Sequence, residues 1–142
     1  MGGLEPDLNM NIQIKPMAIS VYREVYDLWA STAGIDLSSS DEESEIAAFL
    51  DRNPGLSLVA RDGAQLAGAV LCGHDGRRGY ILHLAISEPY RRRGVGGLLV
   101  DRCLEVLRDR GIPKCHLFVF RNNEGLSHSG NALAGPIEVS FP

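Results

Sequence analysis

Between Tyr80 and Arg110 the sequence changes character twice. Tyr80-Ile81-Leu82-His83-Leu84-Ala85-Ile86-Ser87 is almost continuously apolar, as expected of a central strand covered on both faces. From Val95 to Arg110 the apolar period becomes helical. Val95, Leu98, Leu99, Cys103, Val106 and Leu107 form one stripe, and Asp101, Glu105, Arg108 and Asp109 fall opposite it. Gly111 and Pro113 stop that helix. A further strand, Cys115–Phe120, follows. Strand, long helix and strand in succession demand a right-handed crossover within one sheet, and so a mixed α/β fold.

The turn between strand and helix reads Pro89-Tyr90-Arg91-Arg92-Arg93-Gly94-Val95-Gly96-Gly97. A helix N-terminus offers unpaired N–H groups and the positive end of the helix dipole. Glycines let a bulky anion come close to the backbone, and three arginines add positive charge. This combination predicts a site for phosphate groups, more than one. A nucleotide P-loop is excluded, because no Lys-Ser or Lys-Thr follows the glycines. A dinucleotide fingerprint is excluded as well, because the third glycine is missing at its spacing and the loop lies far from the first strand. What remains is Arg-x-x-Gly-x-Gly, from Arg91 to Gly96.

The rest of the chain supplies the neighbours of this unit. Ile12 and Ile14 alternate with polar residues and end at Pro16, predicting a first strand. Helical spacing runs from Met17 to Ala30, with Gly34 ending that helix. A second helix carries Ile46, Phe49 and Leu50, opens on a Ser40–Glu43 capping box and stops at Asn53-Pro54-Gly55. The period then becomes two. Leu56–Ala60 and Gln65–Cys72 form a hairpin across Asp62-Gly63, and His74-Asp75-Gly76 turns into the central strand. The order is β-α-α-β-β-β-α-β, in one domain spanning residues 1–142 with residues 1–10 as a mobile arm.

Composition removes several classes of function. A net charge of −4 argues against a general nucleic-acid binder. No apolar run is long enough to span a bilayer, and the first residues lack the features of a signal peptide. Cys72, Cys103 and Cys115 show no CxxC spacing and no paired histidines, so a metal site is not expected. Their apolar positions predict reduced, buried thiols in a cytoplasmic protein.

The segment LAISEPYRRRGVGGLLVDRCLEVL resembles the pyrophosphate-binding motif of the Gcn5-related N-acetyltransferase (GNAT) superfamily. The hairpin VARDGAQLAGAVL, the strand KCHLFVF and the order of elements are similar to that family too, over roughly Asn11 to Asn123. The resemblance implies a GNAT-like acyl-CoA N-acyltransferase fold with a mixed, mostly antiparallel sheet flanked by helices. It implies acetyl transfer from acetyl-CoA to the amine of a small molecule or peptide, by direct attack in a ternary complex. By the same resemblance Arg91, Arg92, Arg93, Gly94, Val95, Gly96 and Gly97 would wrap the pyrophosphate. Leu84, Ala85 and Ile86 would offer main-chain groups to the acetyl and pantetheine parts, and Asn122 would contact the CoA arm. Tyr80 and His83 are the candidates for the base. Trp29, Ile35 and Asp36 fall where relatives build an acceptor pocket, while His116 reads as structural and His74 as a solvated turn residue. An acyl-CoA-binding module of the same fold, without turnover, is the alternative.

The C-terminus departs from the family pattern. After Asn122-Asn123-Glu124-Gly125-Leu126 an aromatic pair on a short helix is expected, and the first aromatic often supplies the general acid. The chain instead reads SHSGNALAGPIEVSFP. Reverse translation of His128–Gly135, read from the third base of each codon, permits Phe, Trp, Lys or Glu, Arg, Ala, Gly and Trp. That series matches the family, so a frame shift near Leu126 would account for the atypical tail over residues 127–142, and the nucleotide sequence decides it. Loss of the usual segment would remove the acid, impair catalysis and expose apolar surface suited to a homodimer. Ile137–Phe141 could form only a short strand.

Overall fold

The structure, a computed structural model, describes residues 10–119 and 135–140. Asn122, the proposed frame-shift point and the residues that would form the mobile arm lie outside the described residues, apart from Met10. Six strands form one sheet in sequential order: β1 (Ile12–Pro16), β2 (Leu58–Asp62), β3 (Gln65–His74), β4 (Arg78–Ile86), β5 (Lys114–Val119) and β6 (Gly135–Ser140). All neighbours are antiparallel except β4 and β5, the pair joined by the crossover helix. The sheet is therefore mixed and mostly antiparallel, flanked by α1 (Tyr22–Ala30), α2 (Glu43–Arg52) and α3 (Val95–Asp109).

Several boundaries move from the expected ones. The first helix begins as a 3-10 turn at Ile19–Val21, becomes α-helical at Tyr22 and stops at Ala30, before Gly34. The capping box is not Ser40–Glu43. Ser38 and Asp41 form it one turn earlier, around a 3-10 turn at Ser39–Asp41, with the Asp41 carboxylate accepting the Ser38 N–H at 3.0 Å. Three overlapping Ser-x-x-acid patterns, from Ser38, Ser39 and Ser40, compete there, and the buried acid wins. Within the atypical tail, β6 adds a full antiparallel partner to β5, from Gly135↔Val119 to Ser140↔Lys114.

The two sheet faces carry separate cores. Side chains Leu58, Ala60, Val70, Cys72 and Ile81 face α3 and pack with its Leu99, Cys103 and Leu107. Val59, Ala69 and Leu71 face α1 and α2, against Val25, Trp29 and Ile46. This is the strict alternation that a pleated strand imposes. Gly79 on β4 lets α3 approach, since a Cβ there would stand 2.5 Å from Leu107 Cδ1.

The alternation breaks at one place on β4. Ala69 pairs with Ala85 and Leu71 with Leu82, so His83 and Leu84 together stand opposite Val70. This is a β-bulge, and its first residue, His83, has φ of +54°. The extra residue changes which face each side chain joins. Leu82 packs toward α1 and α2, and Leu84 and Ile86 toward α3. His83 would face α3 in a regular strand; the bulge turns it to the α1–α2 face beside Leu82. Nearby, β5 pairs with β4 only over Arg78–Ile81. From Leu82 to Ile86, β4 has a strand partner on one side only among the described residues.

Candidate active site

The turn after β4 is fixed before α3 begins. Ser87 N–H donates to Ala67 O at 2.8 Å, and Ser87 Oγ donates to Leu66 O at 2.8 Å. The buried Tyr90 ring packs in the α3-side core, and its hydroxyl donates to Asp62 Oδ2 at 2.7 Å. That bond raises the Tyr90 pKa above the usual phenol value, with burial adding to it. Arg91 Nε donates to Ile86 O at 2.9 Å, folding the arginine back over the end of the strand. Arg92 at φ +63° and Gly94 at φ +84° both take left-handed conformations, so the backbone curls into a nest before the helix.

The start of α3 is left open by the chain itself. Gly94 makes no side-chain cap, and no acidic residue occupies the first turn. The first helical bond runs from Leu98 N–H to Gly94 O at 3.1 Å, so the N–H groups of Val95, Gly96 and Gly97 precede it. A cavity of about 270 Å³ lies at this end, lined by Arg91, Arg92, Gly94, Val95 and Gly96 with Ile86 and Tyr90. Of the residues expected here, Arg93 and Gly97 do not line it. A Cβ at Gly94 would meet nothing within 4 Å, so the space beside it is free for a ligand. Donors, charge and room fit a pyrophosphate.

The second part of the site lies at the bulge. His83 Nε2 is 2.9 Å from Asp41 Oδ1, and the two side chains are 16% and 7% exposed. A carboxylate only accepts, so Nε2 donates to Asp41, and in the neutral ring the lone pair then belongs to Nδ1. Asp41 is held by the Ser38 N–H on its other oxygen. Its own carbonyl accepts the Tyr22 hydroxyl at 2.6 Å. Trp29 is wholly buried. Its Nε1–H donates to the His83 carbonyl at 2.8 Å, and its ring meets the imidazole edge-on, centroids 5.0 Å apart. Trp29 therefore braces the bulge from within. Ile35 packs beside it in the core, and Asp36 is exposed.

Tyr80 sits elsewhere. Its hydroxyl donates to Asp75 Oδ2 at 3.2 Å, and its ring stacks with Phe118 and meets His116 edge-on. The bond to Asp75 is the main cause that raises its pKa above the usual phenol value. His116 bridges Arg78 and Glu138 at 3.1 and 3.2 Å, and His74 Nδ1 accepts Gly76 N–H at 2.9 Å. Leu84 and Ala85 are buried in opposite cores; their main chain lies on the stretch of β4 that β5 leaves. Among the described residues no cluster of three metal-ligating side chains occurs, and no helix is long and apolar enough to cross a membrane.

The site thus consists of an open helix N-terminus at the end of a strand whose bulge carries a bonded histidine. Residues 22–128 match the model of the acetyltransferase (GNAT) family. An acetyltransferase of Sodalis glossinidius is 33% identical over 115 residues, 78% of this chain and 80% of that one. One from Pectobacterium atrosepticum is 36% identical over 87 residues, and the match spans 62% of that relative's length. Among solved structures, the PaiA N-acetyltransferase of Thermoplasma acidophilum in complex with coenzyme A superposes with a TM-score of 0.74 at 18% identity, covering 93% of this chain and 100% of that one. A GNAT-family acetyltransferase of Staphylococcus aureus gives 0.72 at 14% identity, with 93% and 100% covered. The chain belongs to the GNAT acetyltransferase family.

Proposed function

We propose that the protein transfers the acetyl group of acetyl-CoA to a primary amine, both substrates being bound at once. The observation that carries this reading is the placement of two features along β4: the open start of α3 at its end, and the Asp41-bonded His83 where β5 departs. The Val95, Gly96 and Gly97 N–H groups would hold the pyrophosphate, with the arginines around it. The free edge from Leu82 to Ile86 would take the pantetheine amides as a short added strand. His83 Nδ1 would accept the proton of the attacking nitrogen, and Asp41 would stabilise the imidazolium that forms. The nitrogen then forms the C–N bond as the C–S bond breaks and the thiolate leaves. We further propose a cytoplasmic setting, which buried, unbridged thiols fit.

The test uses Gly96→Asp. A carboxylate in the first turn suits the helix dipole and repels phosphate; because Gly96 is buried, a thermal melt of the variant checks that the fold is retained. Titration calorimetry is expected to show acetyl-CoA binding to the native chain and a loss of about a hundredfold or more in the variant, in line with phosphate sites that rely on charge. Unchanged affinity would remove the phosphate site. Thiol release across a panel of amines separates transfer from binding without turnover.

A further inference from the structure

A groove of about 290 Å³ runs along α2 on the α1–α2 face of the sheet. Its floor is apolar: Ile46 and Phe49 from α2, Leu71 from β3 and Leu82 from β4. Charged side chains line it as well: the buried Asp41 and the exposed Glu45 stand toward the start of α2, and the exposed Arg52 at its end. Glu45 and Arg52 are two helical turns apart, about 10 Å along the axis. Among the described residues neither has an ion-pair or side-chain hydrogen-bond partner.

The groove is continuous with the dyad. Asp41 lines it and bonds His83. Leu82 floors it, precedes His83 in the chain and shares its face because of the bulge. A molecule lying on Leu82 with its nitrogen toward the start of α2 brings that nitrogen to Asp41, the bonded partner of His83. The carboxylate of Glu45 favours a cation at that end, and Arg52 favours an anion at the other.

We propose that this groove is the acceptor site, and that the acceptor is an amine joined through an apolar body to a carboxylate at its far end. The charges would be separated by roughly 8 Å, somewhat less than the two-turn rise between their partners. Simple α-amino acids, whose charges adjoin, do not fit. The fate of the amine rests on the acetyl-transfer reading above; the binding does not.

Two probes test it with the full chain: 4-(2-aminoethyl)benzoate, which carries both charges, and phenethylamine, which lacks the carboxylate. Two readouts are needed. One is kcat/KM by thiol release with acetyl-CoA; the other is probe binding by calorimetry in the presence of CoA. The native chain is expected to prefer the carboxylated probe by about three- to tenfold, as a partly exposed charge pair allows. Arg52→Glu reverses a charge at an exposed position, where folding is not at stake, and is expected to abolish or invert that preference. Arg52→Gln should reduce it to near unity. A native chain without preference, a preference that survives Arg52→Glu, or binding of neither probe would each overturn the proposal. An Arg52-dependent preference in binding with no acetylation of either probe would support the groove and sink acetyl transfer.

Discussion

His83 holds a backbone conformation that costs a non-glycine residue about 1–3 kcal/mol, and two buried groups hold it there. The Trp29 N–H caps its carbonyl and Asp41 fixes its ring. Trp29→Phe keeps the bulk and removes the donor. It is expected to lower stability by about 1–3 kcal/mol in urea denaturation, the cost of an orphaned buried carbonyl. Asp41→Asn is expected to lower kcat/KM by about tenfold or more, and His83→Ala by about 10²–10⁴, the range for general-base catalysis. Acetyl-CoA affinity should change little in either; a parallel loss would assign both residues to binding. The residues of this site were unequally legible in the sequence. The turn from Arg91 to Gly97 is local, and its glycines and charges state their use. The dyad joins residues 42 apart, and Asp41 reads in sequence only as a helix-start carboxylate. A run such as YILHLAIS gives no sign of a bulge, so regular alternation puts His83 on the wrong face.

At the scale of elements, α3 is the member that reaches everything. It closes the crossover, covers one sheet face and leaves its N-terminus uncapped by any side chain. Its contact with β4 depends on Gly79, where Leu107 occupies the space of a Cβ. Gly79→Ala is expected to destabilise by about 1–3 kcal/mol through overpacking. Trimming Leu107 in the same chain should recover part of that loss in a double-mutant cycle; strict additivity would mean the two do not share space. The stripe that defines α3 was plain in the sequence, as were the hairpins, because periodicity is a local property. The bounds of α1 and the capping box before α2 were less so. Tertiary burial chose between equivalent local patterns. β6 showed in the sequence only as a short alternating stretch, Ile137–Phe141, and its full pairing with β5 from Gly135 to Ser140 depends on tertiary contact.

For the whole molecule, the three thiols report on cohesion. Cys72, Cys103 and Cys115 are buried in the core between the sheet and α3. Burial pushes Cys115 up to about 12. A hydrogen bond with Cys72, together with burial, raises Cys103. The reactive thiolate is thus scarce at neutral pH. Modification by an aromatic disulfide reagent at pH 8 should be slow for all three and should keep pace with global unfolding in urea. A thiol that reacts at once in the native protein would contradict this packing. The sheet itself carries a different lesson. β4 and β5 part after Ile81 and Leu117, leaving, among the described residues, a stretch of main chain without a strand partner inside a fork rather than on a rim. An outer edge with free N–H and C=O groups invites neighbouring proteins to stack on it and aggregate. Set in a fork between two of its own strands, the same template is shielded from another sheet yet still within reach of a thin, flexible chain. The fold thus keeps a strand's hydrogen-bonding capacity without the solubility hazard that usually accompanies it.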